Sequence, residues 1–177
     1  LSSAEEVLGD GRQQTVLHPW EVELSATLER LHTIQARLQA LADEDVAVFR
    51  KFVDATKLPQ DSEEEKQARA QALAEAGEAA RSTPLDIAAQ CVQALIEAEG
   101  TVGEVHAEVV SDIGAGAALL RGAIDAALLT VDINLLRLSD EEKAPLQAQR
   151  DELEGEGHER AERLLKQAQK QIKENQE

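Results

Sequence analysis

The stretch PWEVELSATLERLHTIQARLQALADEDVAVFRKFVDA, residues 19–55, decides the fold. After Pro19 it contains no residue that breaks a helix, and its large apolar residues recur every seven positions. One heptad position is held by Leu24, Leu31, Leu38 and Phe52, and its partner by Ile34, Leu41 and Val48. Such a repeat is typical of helices that pack along one another. At about 1.5 Å per residue it predicts one helix of roughly 50 Å, from Pro19 to about Ala55.

The composition of the 177 residues indicates an all-α protein of one domain. Ala, Leu, Glu and Gln, which are strong helix formers, dominate, whereas the aromatics are limited to Trp20, Phe49 and Phe52. We therefore predict a multi-helix bundle over residues 1–177. Residues 1–27 stay unassigned as an atypical or truncated segment, in which Ser3 caps a short helix over residues 4–8.

The charge balance excludes several classes of partner. Asp and Glu number 35 against 18 Lys and Arg, a net charge of −17. Nucleic acids and anionic membranes both need clustered basic residues, so neither is expected. No apolar run approaches the roughly 20 residues of a membrane span. The single cysteine, Cys91, cannot form an internal disulfide, so a cytoplasmic location is expected, with Cys91 in the core.

Four further helix start signals follow the long helix. Ser62, followed by three glutamates, predicts a helix to about Ala80. Ser82-Thr83-Pro84 predicts a separate helix from Pro84 to Glu99. Ser111-Asp112 opens the most apolar helix, which runs to about Leu138, and Ser139 opens the last one, toward Gln171.

The helix after Ser111 is rich in Gly and Ala, and we predict that it is buried at the centre of the bundle. A helix that is apolar on nearly all sides has too few partners in a bundle of this size. Two-fold pairing would bury it, so we predict a homodimer with this helix at or near the interface. Its polar residues form two stripes. One consists of Arg121, Asp125 and Asp132, and the other of Asp112, Thr130 and Asn134.

Four polar residues are candidates for chemistry. Asp45 interrupts the apolar heptad, where a carboxylate has a raised pKa or a partner, and this suits a general acid or base. The alternative is that Asp45 faces water or pairs with a lysine. Ser111 and Asp112 either cap their helix or position substrate or water at its N-terminus. Asn134 either bonds to a neighbouring helix or serves the site.

Helix geometry limits how these residues can combine. Asp112 and Asn134 are 22 positions apart on one predicted helix, which corresponds to about 33 Å. They contribute to one site only if a second, antiparallel copy of the helix brings them together. A site that uses both therefore lies between subunits.

Other common sites leave no trace in the sequence. There is no glycine-rich phosphate loop, no paired-cysteine pattern and no Gly-x-Ser-x-Gly motif. The histidines, His18, His32, His106 and His158, lack metal-ligand spacing, so no metal site is predicted. The Arg121–Asp125 pair, four residues apart, is expected to be structural.

Several ordered segments resemble the cyclodeaminase/cyclohydrolase family. They are LADEDVAVFRKFVDATKLPQDSEEEKQARAQAL at residues 41–73, VVSDIGAGAALLRGAI at 109–124 and LLTVDINLLRLSDEE at 128–142. That family includes the C-terminal domain of formiminotransferase-cyclodeaminase and bacterial methenyltetrahydrofolate cyclohydrolases. The resemblance covers roughly residues 28–165. Residues 1–27 lack the family's glycine-rich first loop, His106-Ala107-Glu108 replaces an Asn-Pro-Asn run, and Thr130 replaces a common Asn.

The resemblance implies a homodimeric helical bundle that acts on a folate without a metal or redox cofactor. The reaction opens or closes the one-carbon ring, by methenyltetrahydrofolate hydrolysis or formiminotetrahydrofolate cyclodeamination. It implies Asp45 for proton transfer, with Ser111 and Asp112 positioning substrate or water. Asn134, and His106 in its substituted run, are the implied substrate contacts.

An acidic protein needs a local basic patch to bind the glutamates of a folate. The densest candidates are Arg50, Lys51, Lys57, Lys66 and Arg69; otherwise these are surface charges that aid solubility. The alternative to an enzyme is a non-catalytic dimer of the same family that binds folate or a protein partner. A purely structural helical protein is the third hypothesis.

Overall fold

The computed structural model describes residues 5–7, 13–15, 18–103, 105–106 and 108–174. Two short antiparallel strands, β1 (Glu5–Val7) and β2 (Gln13–Thr15), precede four helices. The helices are α1 (Pro19–Thr56), α2 (Glu63–Glu99), α3 (Val110–Leu135) and α4 (Asp140–Glu174). The predicted helical bundle is confirmed. The predicted helix over residues 4–8 is wrong where the segment is described, because residues 5–7 pair with 13–15 as a strand.

Helix α1 begins and ends as its sequence predicts. Pro19 occupies the first helical position, where its missing N–H costs nothing, and the His18 N–H donates to the Glu21 carboxylate at 2.6 Å. Ser62 and Glu65 form the predicted reciprocal cap of α2, in which the Glu65 N–H donates to Ser62 Oγ at 3.2 Å. Hydrogen bonds from Ser139 to Glu142 form the corresponding cap of α4 and lower the pKa of the Glu142 carboxyl.

The predicted break at Ser82-Thr83-Pro84 is wrong, because α2 continues through Pro84 as one helix of 37 residues. Proline lacks the N–H that would bond to the carbonyl four residues earlier, which is that of Ala80. Asn134 of α3 replaces this donor, since its Nδ2 lies 3.0 Å from the Ala80 oxygen. Thr83, Pro84 and Leu85 are buried, so packing against the neighbouring helices also favours the continuous helix.

We expect the Asn134→Ala substitution to lower the free energy of unfolding by about 1–3 kcal/mol, because it leaves the Ala80 carbonyl without a donor. In a Pro84→Ala background the restored N–H can bond to Ala80, so the same substitution costs about 1 kcal/mol less. Urea unfolding of wild type, both single variants and the double variant measures this coupling. Strictly additive losses would contradict the compensation.

Helix α3 begins at Val110, two residues before the predicted Asp112, and without a side-chain cap. Val109 precedes the first helical residue, and no side chain of Val109 or of its described neighbours caps the helix. Ser111 and Asp112 lie inside the first turn and are exposed. The capping interpretation of Ser111 is therefore wrong, and its hydroxyl is available for another role. The helix ends at Leu135 rather than Leu138.

Helices α2, α3 and α4 enclose the main core, and α1 packs along the outside of α2. The fully buried residues of this core include Leu95, Ile124, Leu128, Val131 and Leu164. Arg30 of α1 donates to Glu97 of α2 at 2.7 Å, which helps to hold α1 in place. Cys91 is buried as predicted, and burial raises the pKa of its thiol to about 11, so it is protonated at neutral pH.

One face of α3 is not covered by the other described helices. Its large apolar side chains are exposed, at 75 % for Leu119, 68 % for Leu129 and 60 % for Ile133, as is Leu136 just after the helix, at 72 %. By length and composition α3 is long and apolar enough to cross a membrane, and only 28 % of its most apolar 18-residue stretch is buried. The predicted burial of α3 is thus confirmed on one side only. The other side is an exposed apolar surface, of the kind that usually contacts a partner.

Candidate functional site

The structure brings two predicted site residues, Asp45 and Asn134, to the same level of the bundle. Val48, one turn after Asp45 on α1, lines a cleft of about 390 Å³ together with Ala79 of α2. Asn134 of α3 contacts the next residue of α2 through the Ala80 oxygen. Asp45 on α1 and Asn134 on α3 therefore lie at about the same height along α2, next to different sides of it.

Asp45 is half-buried rather than enclosed in the apolar seam. Leu41, one turn earlier, is fully buried, whereas Val46 and Phe49 beside it are exposed. No hydrogen bond or ion pair joins Asp45 to any other residue that the structure describes, so the lysine partner considered from the sequence is not observed. Its carboxylate is accessible to a ligand or to a second protein surface.

Asn134 uses its amide nitrogen for structure and leaves its oxygen for other contacts. The Nδ2 atom donates to the Ala80 oxygen at 3.0 Å and to the Thr130 oxygen at 2.8 Å. These bonds confirm the structural interpretation of this residue. Any contact between Asn134 and a substrate would therefore be made through Oδ1.

Ser111, Asp112 and His106 lie at the opposite end of the bundle. Ser111 and Asp112 are exposed in the first turn of α3, and His106 is exposed in the loop before it, 3.9 Å from the Glu108 carboxylate. Because α3 is one continuous helix, about 33 Å separates Asp112 from Asn134 within a subunit. One subunit thus does not bring together the residues that the sequence assigns to one site.

The predicted basic patch lies around the turn between α1 and α2, with Arg50 and Lys51 on α1 and with Lys57 and Lys66 paired locally. Lys57 lies 3.3 Å from Asp54, and Lys66 lies 2.6 Å from Glu63; both pairs are exposed. Arg69 donates to the Thr56 oxygen and to Gln60, so it holds the turn together. Exposed pairs of this kind contribute little to stability, so the two lysines can exchange partners at small cost.

A second basic cleft was missed from the sequence. It has a volume of about 510 Å³ and lies where α1 and α2 meet the turn between α3 and α4. Arg81, Arg137, Phe52 and one carboxylate, Glu142, line it, and the Arg137 guanidinium lies 4.9 Å from the centre of the Phe52 ring. A neighbouring cleft of about 410 Å³ shares Arg81 with it. An aromatic ring beside two guanidinium groups can receive a flat ligand that carries carboxylates.

The family model described as formiminotransferase-cyclodeaminase matches residues 10–153, which is most of the chain. The chain belongs to this family. The resemblance drawn from residues 41–73, 109–124 and 128–142 is therefore confirmed. The match also extends into residues 10–27, which the sequence left unassigned.

Two curated proteins are similar in sequence to this member of the formiminotransferase-cyclodeaminase family. Methenyltetrahydrofolate cyclohydrolase of Methylorubrum extorquens is 30 % identical over 135 residues, which cover 76 % of this chain and 64 % of the relative. Formimidoyltransferase-cyclodeaminase of Sus scrofa is 33 % identical over 125 residues, which cover 67 % of this chain and 23 % of the relative. The chain thus spans less than two thirds of either curated relative.

The fold is shared with a solved enzyme structure. The crystal structure of formiminotetrahydrofolate cyclodeaminase from Thermotoga maritima superimposes with a TM-score of 0.67. The match covers 92 % of this chain and 75 % of the other, at 23 % identity. At this identity the likeness concerns the helical architecture.

Proposed function

We propose that this protein is a folate enzyme that opens or closes the one-carbon ring of a tetrahydrofolate derivative. The observation that carries the proposal is the family match over residues 10–153. The two curated relatives are named for methenyltetrahydrofolate hydrolysis and for formimidoyl transfer with cyclodeamination. Hydrolysis and cyclodeamination both act on the one-carbon unit of the folate, so one site with a well-placed proton acceptor can serve either of these two reactions.

The proposed functional unit is a homodimer in which the exposed faces of two α3 helices pack antiparallel. Gly122 lies at the middle of α3, and a Cβ placed there meets no atom within 4 Å among the described residues. A glycine at this point lets two backbones approach closely about a two-fold axis. The same contact covers Leu119, Leu129 and Ile133, which a single subunit leaves exposed.

A groove beside this face supports the same arrangement. Leu31, Ile34 and Leu38 of α1, Ala94 of α2 and Leu120 of α3 line a largely apolar hollow of about 470 Å³. It lies between α1 and α3, so a helix of a second copy packed on α3 would also contact α1. The net charge of −17 disfavours an anionic membrane as the alternative cover.

Antiparallel pairing about Gly122 combines the two halves of the predicted site. Position 112 of one subunit then lies opposite position 132 of its partner, two residues from Asn134. Each site would receive Asp45 and Asn134 from one subunit, and Ser111, Asp112 and His106 from the other. This arrangement removes the separation of about 33 Å that a single α3 imposes.

In this site Asp45 acts as the proton acceptor. During hydrolysis of methenyltetrahydrofolate, a water oxygen forms a bond to the electron-poor one-carbon centre and loses a proton to the Asp45 carboxylate. The resulting hydroxyl then loses its proton to solvent as the carbonyl forms and one carbon–nitrogen bond breaks, and Asp45 returns its proton to the leaving nitrogen. Ser111 and Asp112 orient the water or the substrate at the N-terminus of α3. The reaction as written uses no metal or redox cofactor.

The folate carboxylates would be bound by cations at the same end of the bundle. Lys57 and Lys66 are exposed at the turn between α1 and α2, and Arg69 fixes that turn. The cleft lined by Phe52, Arg81 and Arg137 offers a shorter route to Asn134, because Arg81 directly follows Ala80. We therefore propose that the cleft holds the inner part of the ligand and that the lysines contact its outer glutamates.

The proposal is tested with two substrates in parallel. Loss of methenyltetrahydrofolate is followed by its absorbance, with the buffer rate subtracted, and ammonia release from formiminotetrahydrofolate is followed in a coupled assay. We expect at least one rate above the buffer rate. Folate binding without either activity would contradict the enzyme and favour the non-catalytic relative in its place.

A further inference from the structure

Three metal-ligating side chains converge where α3 faces α4, outside the proposed folate site. Asp125 comes from α3, whereas Glu154 and His158 are four residues apart and share one face of α4. One ligand atom from each lies within 4.8 Å of the other two, and His158 Nε2 is 2.5 Å from Asp125 Oδ1. The expected Arg121–Asp125 pair is replaced by this contact between helices.

The backbones that carry these ligands are held close together by the core. Ile124, next to Asp125, is fully buried, and a Cβ on Gly157, next to His158, would lie 2.5 Å from Ile124 Cδ1. Glycine at position 157 therefore allows this approach of the two helices without displacing the Ile124 side chain. The ligands stand on rigid helices beside a packed contact, so side-chain rotation alone is needed to close around an ion.

The donor set matches a divalent transition metal. A neutral imidazole with two carboxylates carries a charge of −2, and zinc binds both nitrogen and oxygen donors at about 2.0–2.2 Å. The side chains of His158, Asp125 and Glu154 are 33 %, 45 % and 38 % exposed, so water can fill the remaining positions. Magnesium prefers oxygen ligands alone and would gain little from the histidine.

Arg150 contacts the carboxylate of Glu154, the glutamate ligand on α4. Its guanidinium lies 2.5 Å from Glu154 Oε2 and also bonds to both oxygens of Asp132. This contact holds Glu154 in position and engages Oε2 rather than Oε1, so one carboxylate oxygen is left for an ion. We propose that Asp125, Glu154 and His158 form a binding site for a divalent transition metal such as Zn²⁺.

Calorimetric titration of the untagged, metal-free chain with ZnCl₂ in the absence of folate tests this proposal. We expect one saturable Zn²⁺ site per chain, a His158→Gln variant that binds at least about 10-fold more weakly, and no competition from equimolar Mg²⁺. The His32→Gln variant, which alters an exposed histidine on α1, is the control and should bind as wild type does.

Substitution of Co²⁺ for Zn²⁺ gives a second readout, because the visible d–d bands of Co²⁺ report the geometry and ligand field of the bound ion and should change when His158 is replaced. If His158→Gln loses helical content, Glu154→Gln takes its place, since its amide can still accept a hydrogen bond from Arg150. Absence of saturable Zn²⁺ binding by wild type would overturn the site. Undiminished binding by a folded His158→Gln or Glu154→Gln variant would do the same.

Discussion

The Asp45→Asn variant is expected to hydrolyse methenyltetrahydrofolate at least about 100-fold more slowly than wild type, because loss of a general base typically costs 10²–10⁴-fold in rate. Asparagine keeps the size of the side chain but cannot take the proton from water. Asp45 is half-buried on α1 and has no described partner, so the substitution should leave the fold and the dimer unchanged. The loss should therefore appear in kcat rather than in folate affinity.

A matched control lies on the same helix. Asp43, two residues away, is exposed, and the Asp43→Asn variant should retain the wild-type rate. Initial rates with the buffer rate subtracted, together with light scattering for the dimer, complete the comparison. If wild type is active and Asp45→Asn is equally active, the carboxylate has no part in proton transfer.

The Gly122→Arg variant is expected to be a monomer without activity. In the proposed dimer the two copies of position 122 meet at the two-fold axis, so the substitution inserts bulk and places two positive charges together. Like charges at an interface cost several kcal/mol, which weakens the dimer by at least about 100-fold. Activity should disappear with the dimer, because each site needs both subunits.

The position of Gly122 makes this a test of the interface rather than of folding. A side chain at Gly122 meets no described atom of its own subunit, so helical content and the urea midpoint of the monomer should be preserved. The Ala148→Arg variant, at an exposed alanine of α4, controls for the added charge. A folded Gly122→Arg variant that stays dimeric in light scattering would exclude this face as the interface.

The sequence predicts the helix starts that carry local signals. It does not predict whether a helix continues when that depends on a hydrogen bond from a residue far away in the sequence. Pro19, Ser62 and Ser139 fix the starts of α1, α2 and α4 within one residue. The local signals at Ser82-Thr83-Pro84 also favour a start, but α2 continues because Asn134, 54 positions away, bonds to the Ala80 oxygen. A tertiary hydrogen bond of this kind leaves no trace in local periodicity.

In the candidate site, too, the sequence predicts what the geometry of one helix determines and misses what the packing of several helices brings together. Helix geometry alone predicts that Asp112 and Asn134 stay apart, and the continuous α3 confirms it. Arg81 and Arg137 were missed because they lie on different elements and share a cleft only after α2 packs beside the turn that follows α3. Asp125, Glu154 and His158 likewise show no histidine spacing, since two of the three ligands are carboxylates.

Mixing two inactive variants tests the subunit-shared site most directly. Asp45→Asn and Asp112→Asn chains are unfolded together, refolded as a mixture and assayed for methenyltetrahydrofolate hydrolysis. In a mixed dimer one site receives both substitutions and the other receives Asp45 and Asp112 intact, so random pairing should restore about one quarter of the wild-type rate. If both residues served a site within one subunit, every site in the mixture would carry a substitution. A refolded, dimeric mixture no more active than the separate variants would contradict the account.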